Sequence, residues 1–164
     1  MKPIRLRQVK KEIRVLGIAI EEKINIFYMI GVVFRGNKFL DGIIQIQTEY
    51  SELEKRLIKG INDSPHKNQI RCIIFHNKTL PTNLELNMSQ IYNETNIPII
   101  HISNDIDLKT LLKKNMNGID SIQFFGIKQQ DMINILRTAI QQENIPEAVR
   151  VANIILTARL NPIT

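Results

Sequence analysis

Acidic side chains stand near several predicted strand and helix ends, where they could hold a metal ion. Glu21 follows the apolar run 13–20, Asp41 lies in a predicted hairpin, and Glu49 and Glu52 flank the start of a predicted helix. Carboxylate oxygens are the ligands that Mg²⁺ and Mn²⁺ prefer. Two such ions can stabilise both the attacking and the leaving oxygen of a phosphodiester. These residue types therefore raise metal-assisted phosphodiester hydrolysis as one chemistry to test against the rest of the chain.

Several of these side chains also have a structural explanation. Glu52 in a first helical turn interacts favourably with the helix dipole, and we favour that explanation over metal binding. Asp41 precedes Gly42 and either lines a site or bonds to its own turn. Arg35 and Arg150 either hold a phosphate group or form surface ion pairs. The residue types alone leave these alternatives open.

Two histidines indicate a second metal chemistry. His76 and His101 end neighbouring predicted strands, and together with Glu21 they are ligand types that zinc accepts. Isolated histidines are more often partly buried polar residues, and so few ligands make that explanation the favoured one. The sequence contains no CxxC cluster and no glycine-rich phosphate loop. The single cysteine, Cys72, lies in an apolar strand pattern typical of a small buried hydrophobe.

The positive charge of the chain is concentrated at its start. The 164 residues carry a net charge of +6, and residues 1–14 hold six of the basic side chains against Glu12 alone. We therefore divide the chain into a basic arm, residues 1–12, and one domain, residues 13–164. The arm either binds the phosphate backbone of DNA or an acidic partner, or is a solvated lead into the first strand. The six basic residues of positions 1–14 are Lys2, Arg5, Arg7, Lys10, Lys11 and Arg14.

Hydrophobic periodicity predicts a three-strand meander followed by alternating strands and helices. Ser51 and Glu54 have the spacing of a capping box at the start of the first helix. Pro146 has a position favoured in the first turn of the last helix. The predicted strands are 13–20, 26–34, 39–47, 70–75, 97–102 and 119–127. This order predicts an α/β fold, a ribonuclease-H-like mixed sheet of five to six strands flanked by helices.

In a sheet of this plan, a site forms where the carboxyl ends of strands one and four meet, beside the first helix. A nuclease would place carboxylates there to hold its metal ions. The chain instead has Ala19 followed by Ile20 at the end of strand one, and His76 followed by Asn77 at the end of strand four. The positions that should carry the chemistry thus lack the expected charge.

Six stretches of the chain together resemble a known family. They are "RVLGI", "IGVVFRGNKFLDG", "IRCIIFHN", "IYNETNIPII", "FFGI" and "ENIPEAVRVANIILTA", in this order. The chain resembles the archaeal endonuclease dU family, which is related to endonuclease V. That resemblance implies a ribonuclease-H-like fold and a nuclease that uses Mg²⁺ or Mn²⁺ on DNA with deaminated bases.

The resemblance also implies which residues have changed. Family members carry acidic residues where this chain has Ala19, an Asp-Gly pair where it has His76 and Asn77, and a histidine where it has Asn153. Arg35, Asp41, Arg150 and either Glu49 or Glu52 match the family, which makes them site candidates. The resemblance therefore implies a retained scaffold with a dismantled metal centre.

These observations give one leading expectation and two alternatives. The leading one is a catalytically degenerate nuclease-like fold that binds nucleic acid through Arg5, Arg7, Lys10, Lys11, Arg35 and Arg150, with no cofactor. The first alternative is an active Mg²⁺ or Mn²⁺ nuclease with substitute ligands drawn from Glu21, Asp41, Glu49 and His76. The second is an interaction protein that keeps only the scaffold.

Three further expectations concern the surroundings and surface of the protein. The absence of a signal peptide or membrane span in the sequence predicts a cytoplasmic protein. A homo-oligomer is compatible with the sequence, which leaves the oligomeric state open. The chain has no Trp, and its Tyr and Phe residues fall mostly in strand patterns, so we expect no exposed platform for stacking bases.

Overall fold

The computed structural model describes residues 3, 10–103, 106–113, 119–141 and 144–162. Predicted site residues Arg5 and Arg7 lie outside the described residues, as does Lys2. The strands are β1 Arg14–Lys23, β2 Ile26–Arg35, β3 Phe39–Glu49, β4 Ile70–His76, β5 Ile99–Ile102 and β6 Ile122–Phe125. The helices are α1 Leu53–Asn62, α2 Met88–Thr95, α3 Leu108–Lys113, α4 Gln129–Ala139 and α5 Glu147–Leu160.

The six strands form one mixed sheet in the order β3-β2-β1-β4-β5-β6. Strands β1, β2 and β3 pair antiparallel, β4 and β5 run parallel to β1, and β6 returns antiparallel to β5. The predicted ribonuclease-H-like plan is therefore confirmed, with six strands rather than five. Pro98 lies just before β5, where its missing N–H removes no ladder bond from that strand.

Helices cover both faces of the sheet because β1 and β4 are apolar on both sides. On the α5 face, Val15 and Ala19 of β1 pack with residues from α3, α4 and α5. On the α1 face, Leu16 and Ile18 pack with α1 and α2. Alternation along β1 divides its side chains between the two clusters. Each fully buried leucine or isoleucine contributes about 1.5–3 kcal/mol relative to exposure, so both layers hold the sheet.

Helix α5 crosses β1 at very short range. A Cβ added to Gly17 would lie 2.3 Å from the carbonyl carbon of Ala148 and 2.4 Å from the backbone nitrogen of Val149. Only a residue without a side chain allows the two backbones to approach so closely. Gly17 therefore fixes the height at which α5 lies over the sheet.

The start of α1 differs from the prediction. A short 3₁₀ turn, Tyr50–Glu52, precedes the helix, and Glu52 occupies the cap position without a side-chain cap bond. The predicted capping box at Ser51 is therefore wrong. Glu54, its expected reciprocal partner, instead accepts a hydrogen bond of 2.6 Å from the backbone N–H of Asn87. A contact with the segment before α2 thus replaces the local cap.

Candidate functional site

The carboxyl ends of β1 and β4 meet as predicted, but Ala19 and His76, where the two strands come together, carry no carboxylate. Ile18 pairs with Phe75, so Ala19 and His76 are the next residues along the two strands. Ala19 is 0% exposed and His76 is 1% exposed. Because Ala19 and Ile74 share the α5-face cluster, alternation along β4 places His76 on that face as well. A methyl group and an imidazole ring therefore occupy the centre of the expected site.

A 3₁₀ turn, Asn77–Thr79, closes the crevice between the two strand ends. The backbone N–H of Lys78 donates to Nδ1 of His76 at 3.1 Å. Nδ1 must be unprotonated to accept this bond. The Thr79 hydroxyl lies 3.0 Å from the carbonyl oxygen of Ile18 and 3.1 Å from that of His76, and so ties the ends of β1 and β4 together. The turn thereby forms hydrogen bonds with Nδ1 of His76 and with the carbonyl oxygens of Ile18 and His76, groups that a ligand in this crevice would otherwise contact.

Helix α5 supplies the other wall of a shallow carboxyl-end cleft, which we define by Lys78, Thr79, Arg150 and Asn153. Its volume is about 400 Å³. Arg150 donates from Nε to Glu147 Oε2 at 2.9 Å, and its guanidinium also contacts the second carboxylate oxygen. An ion pair with Glu147, three residues earlier on the same helix, therefore holds the guanidinium of Arg150. Asn153 is exposed and lines the cleft.

The predicted acidic residues do not converge on this cleft. Glu21 is two residues beyond Ala19 and lines an adjoining depression of about 370 Å³. Glu49 ends β3, two strands over and four residues along from position 19, on the order of 15 Å between backbone positions. Glu52 forms an ion pair of 3.7 Å with Lys55. Within the described ranges, no three His, Cys, Asp or Glu side chains are grouped to hold a metal ion, so Glu21, Glu49 and His76 are not brought together.

The two histidines of the zinc hypothesis lie on opposite faces of the sheet. His101 pairs with Phe75, so it shares the α1 face with that residue, whereas His76 belongs to the α5 face. His101 Nε2 lies 2.8 Å from Oδ1 of Asn77. Burial lowers the pKa of His101, while a hydrogen bond with Gln123 opposes that shift. The two imidazoles therefore do not share one ligand site.

Asp41 lies at the opposite end of the sheet between two arginines. Its carboxylate accepts hydrogen bonds from Nε of Arg14 at 2.8 Å and from Nε of Arg35 at 2.9 Å, and its side chain is 13% exposed. Burial raises the pKa of Asp41, but the hydrogen bonds and charges of the two arginines outweigh it and lower the pKa from 3.8. Both the family-matched Asp41 and Arg35 therefore stabilise the hairpin, away from the carboxyl-end cleft.

A second cleft opens at this same end, which the sequence did not predict as a unit. We call it the basic cleft and define it by Lys11, Arg35, Lys38, Phe39 and Arg137. Its volume is about 550 Å³. The backbone N–H of Gly36 donates to the carbonyl oxygen of Ile13 at 2.7 Å. This bond holds the chain that follows Lys10 and Lys11 of the predicted arm against the β2–β3 turn, beside the cleft. The position of Lys38 just after the turn at Gly36 was the sequence signal that could have placed Lys38 in this cleft. No local pattern around Arg137 predicts that it belongs there.

Comparisons with known proteins show archaeal homologues. No protein-family model matches the chain. A UPF0215 protein from Methanothermobacter thermautotrophicus is 28% identical, with 91% of this chain and 88% of the relative covered. A UPF0215 protein from Methanosarcina mazei is 29% identical, with 91% of each chain covered. A UPF0215 protein from Methanopyrus kandleri is 31% identical, over 60% of this chain and 53% of the relative.

Solved structures show the fold. The crystal structure of a protein of unknown function from Archaeoglobus fulgidus matches with a TM-score of 0.69 at 20% identity, covering 89% of this chain and 97% of that one. Marinitoga piezophila Argonaute, solved in complex with a 5′-OH guide RNA, matches with a TM-score of 0.53 at 10% identity, covering 93% of this chain and 30% of Argonaute. Within the described residues, no helix is long and apolar enough to span a membrane. The chain is thus a homologue of archaeal UPF0215 proteins, at about 28% identity, with a ribonuclease-H-like α/β fold.

Proposed function

We propose that this protein binds nucleic acid on a nuclease-like scaffold and does not cleave it. The observation that carries the proposal is the buried pair Ala19 and His76 at the carboxyl ends of β1 and β4. A two-metal nuclease needs negative charge at this place to hold its ions. A methyl group supplies no ligand, and Nδ1 of His76 already accepts the N–H of Lys78.

Two properties support nucleic-acid binding over the alternative of an interaction protein that has no nucleic-acid role. The chain carries a net charge of +6, with the excess on residues 1–14, and such local charge attracts phosphate backbones. The Argonaute that shares this fold was solved with a guide RNA. The resemblance to the endonuclease dU family adds DNA containing deaminated bases as the substrate class on which to test cleavage.

The test measures binding and cleavage on the same DNA. Labelled duplexes and single strands containing deoxyuridine or deoxyinosine are incubated with the protein and Mg²⁺ or Mn²⁺, then divided between an anisotropy titration and a denaturing gel. We expect binding that weakens with salt and no metal-dependent product. Matched oligonucleotides without the modified base, and reactions with a chelator, are the controls.

Two results would overturn the proposal. The first is a metal-dependent product that disappears in Glu49→Gln but persists in Asp63→Asn, because Asp63 lies at the other end of α1. That pattern would show an active centre with substitute ligands. The second is the absence of binding to every single-stranded and duplex probe at low salt, which would leave an interaction protein that keeps only the scaffold.

A further inference from the structure

The basic cleft joins three segments that are distant in sequence. Its walls come from Lys11 before β1, the β2–β3 turn around Asn37, and Arg137 with Thr138 at the end of α4. Asn37 Nδ2 donates to the carbonyl oxygen of Ile140 at 2.9 Å and so ties the turn to the end of α4. A hydrogen bond therefore links two of the segments that form the cleft.

Gly36 brings the chain before β1 against the β2–β3 turn. Its φ is +57°, and a Cβ added there would lie 2.1 Å from the carbonyl oxygen of Lys11. The glycine thus lets the chain before β1 lie directly on the β2–β3 turn. As a result, Lys11 and Lys38 border the same space although 26 residues separate them in the sequence.

An exposed aromatic ring stands beside these cations. Phe39, the first residue of β3, is 52% exposed. The guanidinium carbon of Arg35 lies 5.1 Å from the centroid of the Phe39 ring, while Nε of Arg35 is held by Asp41. The aromatic ring is thereby oriented by an arginine that is itself fixed. An exposed ring beside positive charge is a feature that the strand patterns of the aromatic residues did not predict.

The charges in the cleft fit a phosphate backbone. Lys11, Lys38 and Arg137 are exposed cations, whereas Glu12 is the one acidic side chain among the described lining residues. Arg137 also donates to the carbonyl oxygen of Leu112 at 2.7 Å, which limits where its guanidinium lies. Exposed cations beside an exposed ring are the combination that binds single strands, because phosphates need charge and unpaired bases stack on rings.

We propose that the basic cleft binds single-stranded nucleic acid, with a base stacked on Phe39 and phosphates on Lys11, Lys38 and Arg137. The inference rests on the proposed function and gives it a location, at the end of the sheet opposite the carboxyl-end cleft. A base in a duplex cannot lie against the Phe39 ring, so single strands bind more tightly than duplexes of the same length.

The test is a cycle of two protein and two ligand variants. Fluorescence anisotropy measures binding of an oligothymidylate of about 16 nucleotides and of the same strand with abasic sites. The wild-type protein binds the strand with bases about tenfold more tightly than the abasic strand, and Phe39→Ala removes that preference. Tyr50→Ala is the matched control, since Tyr50 is also an exposed aromatic residue, 62% exposed, outside the cleft.

Salt dependence tests the phosphate contacts separately. The double variant Lys38→Ala/Arg137→Ala flattens the slope of log affinity against log salt by about 1.4, since each contact to a single strand contributes about 0.7. Lys55→Ala is the control because its side chain is 80% exposed and it lies on α1, outside the cleft. Circular dichroism and thermal unfolding confirm that each variant is folded.

The outcomes separate this inference from the proposed function. If the wild-type protein binds single strands while the Phe39 and Lys38/Arg137 variants bind equally well with unchanged slope, the inference is overturned and the proposed function stands. Equal losses in Phe39→Ala and Tyr50→Ala overturn the stacking contact. A preference for duplex over single strands would also overturn the placement of the binding site in the basic cleft. If no nucleic acid binds at all, the proposed function and the inference fall together.

Discussion

Ala19→Asp places a carboxylate at the position where a metal-dependent centre on this sheet would need one. In the structure this position is 0% exposed and belongs to the α5-face cluster. On α5, Arg150 is already paired with Glu147. The new carboxylate would therefore be buried beside the imidazole of His76, with the guanidinium of Arg150 already engaged by another carboxylate.

The expected loss of stability is about 3–5 kcal/mol, the cost of an uncompensated buried charge. Ala19→Asn adds a side chain of similar size without charge and should cost about 1–3 kcal/mol. With a urea dependence of about 2 kcal/mol per molar, the aspartate variant should unfold at roughly 1 M less urea than the asparagine variant. That gap measures the charge alone, because the added volume is common to both.

The pH dependence of this gap gives an internal check. Burial raises the pKa of the introduced carboxyl above its value in the unfolded chain. The penalty is therefore present at neutral pH and is relieved as the pH falls through the raised pKa. Equal urea midpoints for the two variants at pH 7 would refute the reasoning, because position 19 would then be open to solvent or to a cation. Adding His76→Asp to Ala19→Asp should allow Mn²⁺ to raise the midpoint, whereas Ala19→Asn should not respond to the metal.

Three other perturbations address the packing, the hairpin and the arm. Gly17→Ala should destabilise the protein by about 1–3 kcal/mol or more, measured by urea unfolding, because its Cβ would meet the backbone of Ala148 at 2.3 Å; unchanged stability would contradict the close approach. Asp41 has a lowered pKa, so the folding stability that its ion pairs contribute should be complete above pH 3.8 and be lost as the pH falls below that value. Asp41→Asn should flatten this part of the curve of stability against pH, and an unchanged curve would count against the paired carboxylate. Deleting residues 1–11 should leave the domain folded and weaken duplex binding, which in the intact protein should show a salt slope near −3 to −4; unfolding of the truncated chain would show instead that the arm is structural.

Much of the fold could be predicted because its strands carry strong local signals. The runs that became β1, β2 and β4 are rich in Ile and Val, and the turn at Gly36 separates β2 from β3. The order of these elements was enough to predict the sheet plan. The first helix was placed correctly, but its cap was not, because a contact between Glu54 and Asn87 replaced the local signal.

The site was harder to predict because it depends on register and on distant contacts. His76 and His101 end neighbouring parallel strands, but the pairing of His101 with Phe75 turns their side chains to opposite faces. A shift of one residue in register reverses the face of every side chain, and no local pattern encodes that shift. The approach of Arg137 to Lys38 likewise depends on how α4 packs against the β2–β3 turn.

The close crossing of α5 over Gly17 has a consequence for how such proteins diverge. A residue that binds a metal can be exchanged once the reaction is no longer under selection, and the chain still folds. A side chain at position 17 would instead collide with the backbone of Ala148, so selection for folding alone retains the glycine. Ancestry in this group should therefore be traced through the small residues at this crossing. A chain that lost a reaction would keep this glycine after the residues of the reaction had changed.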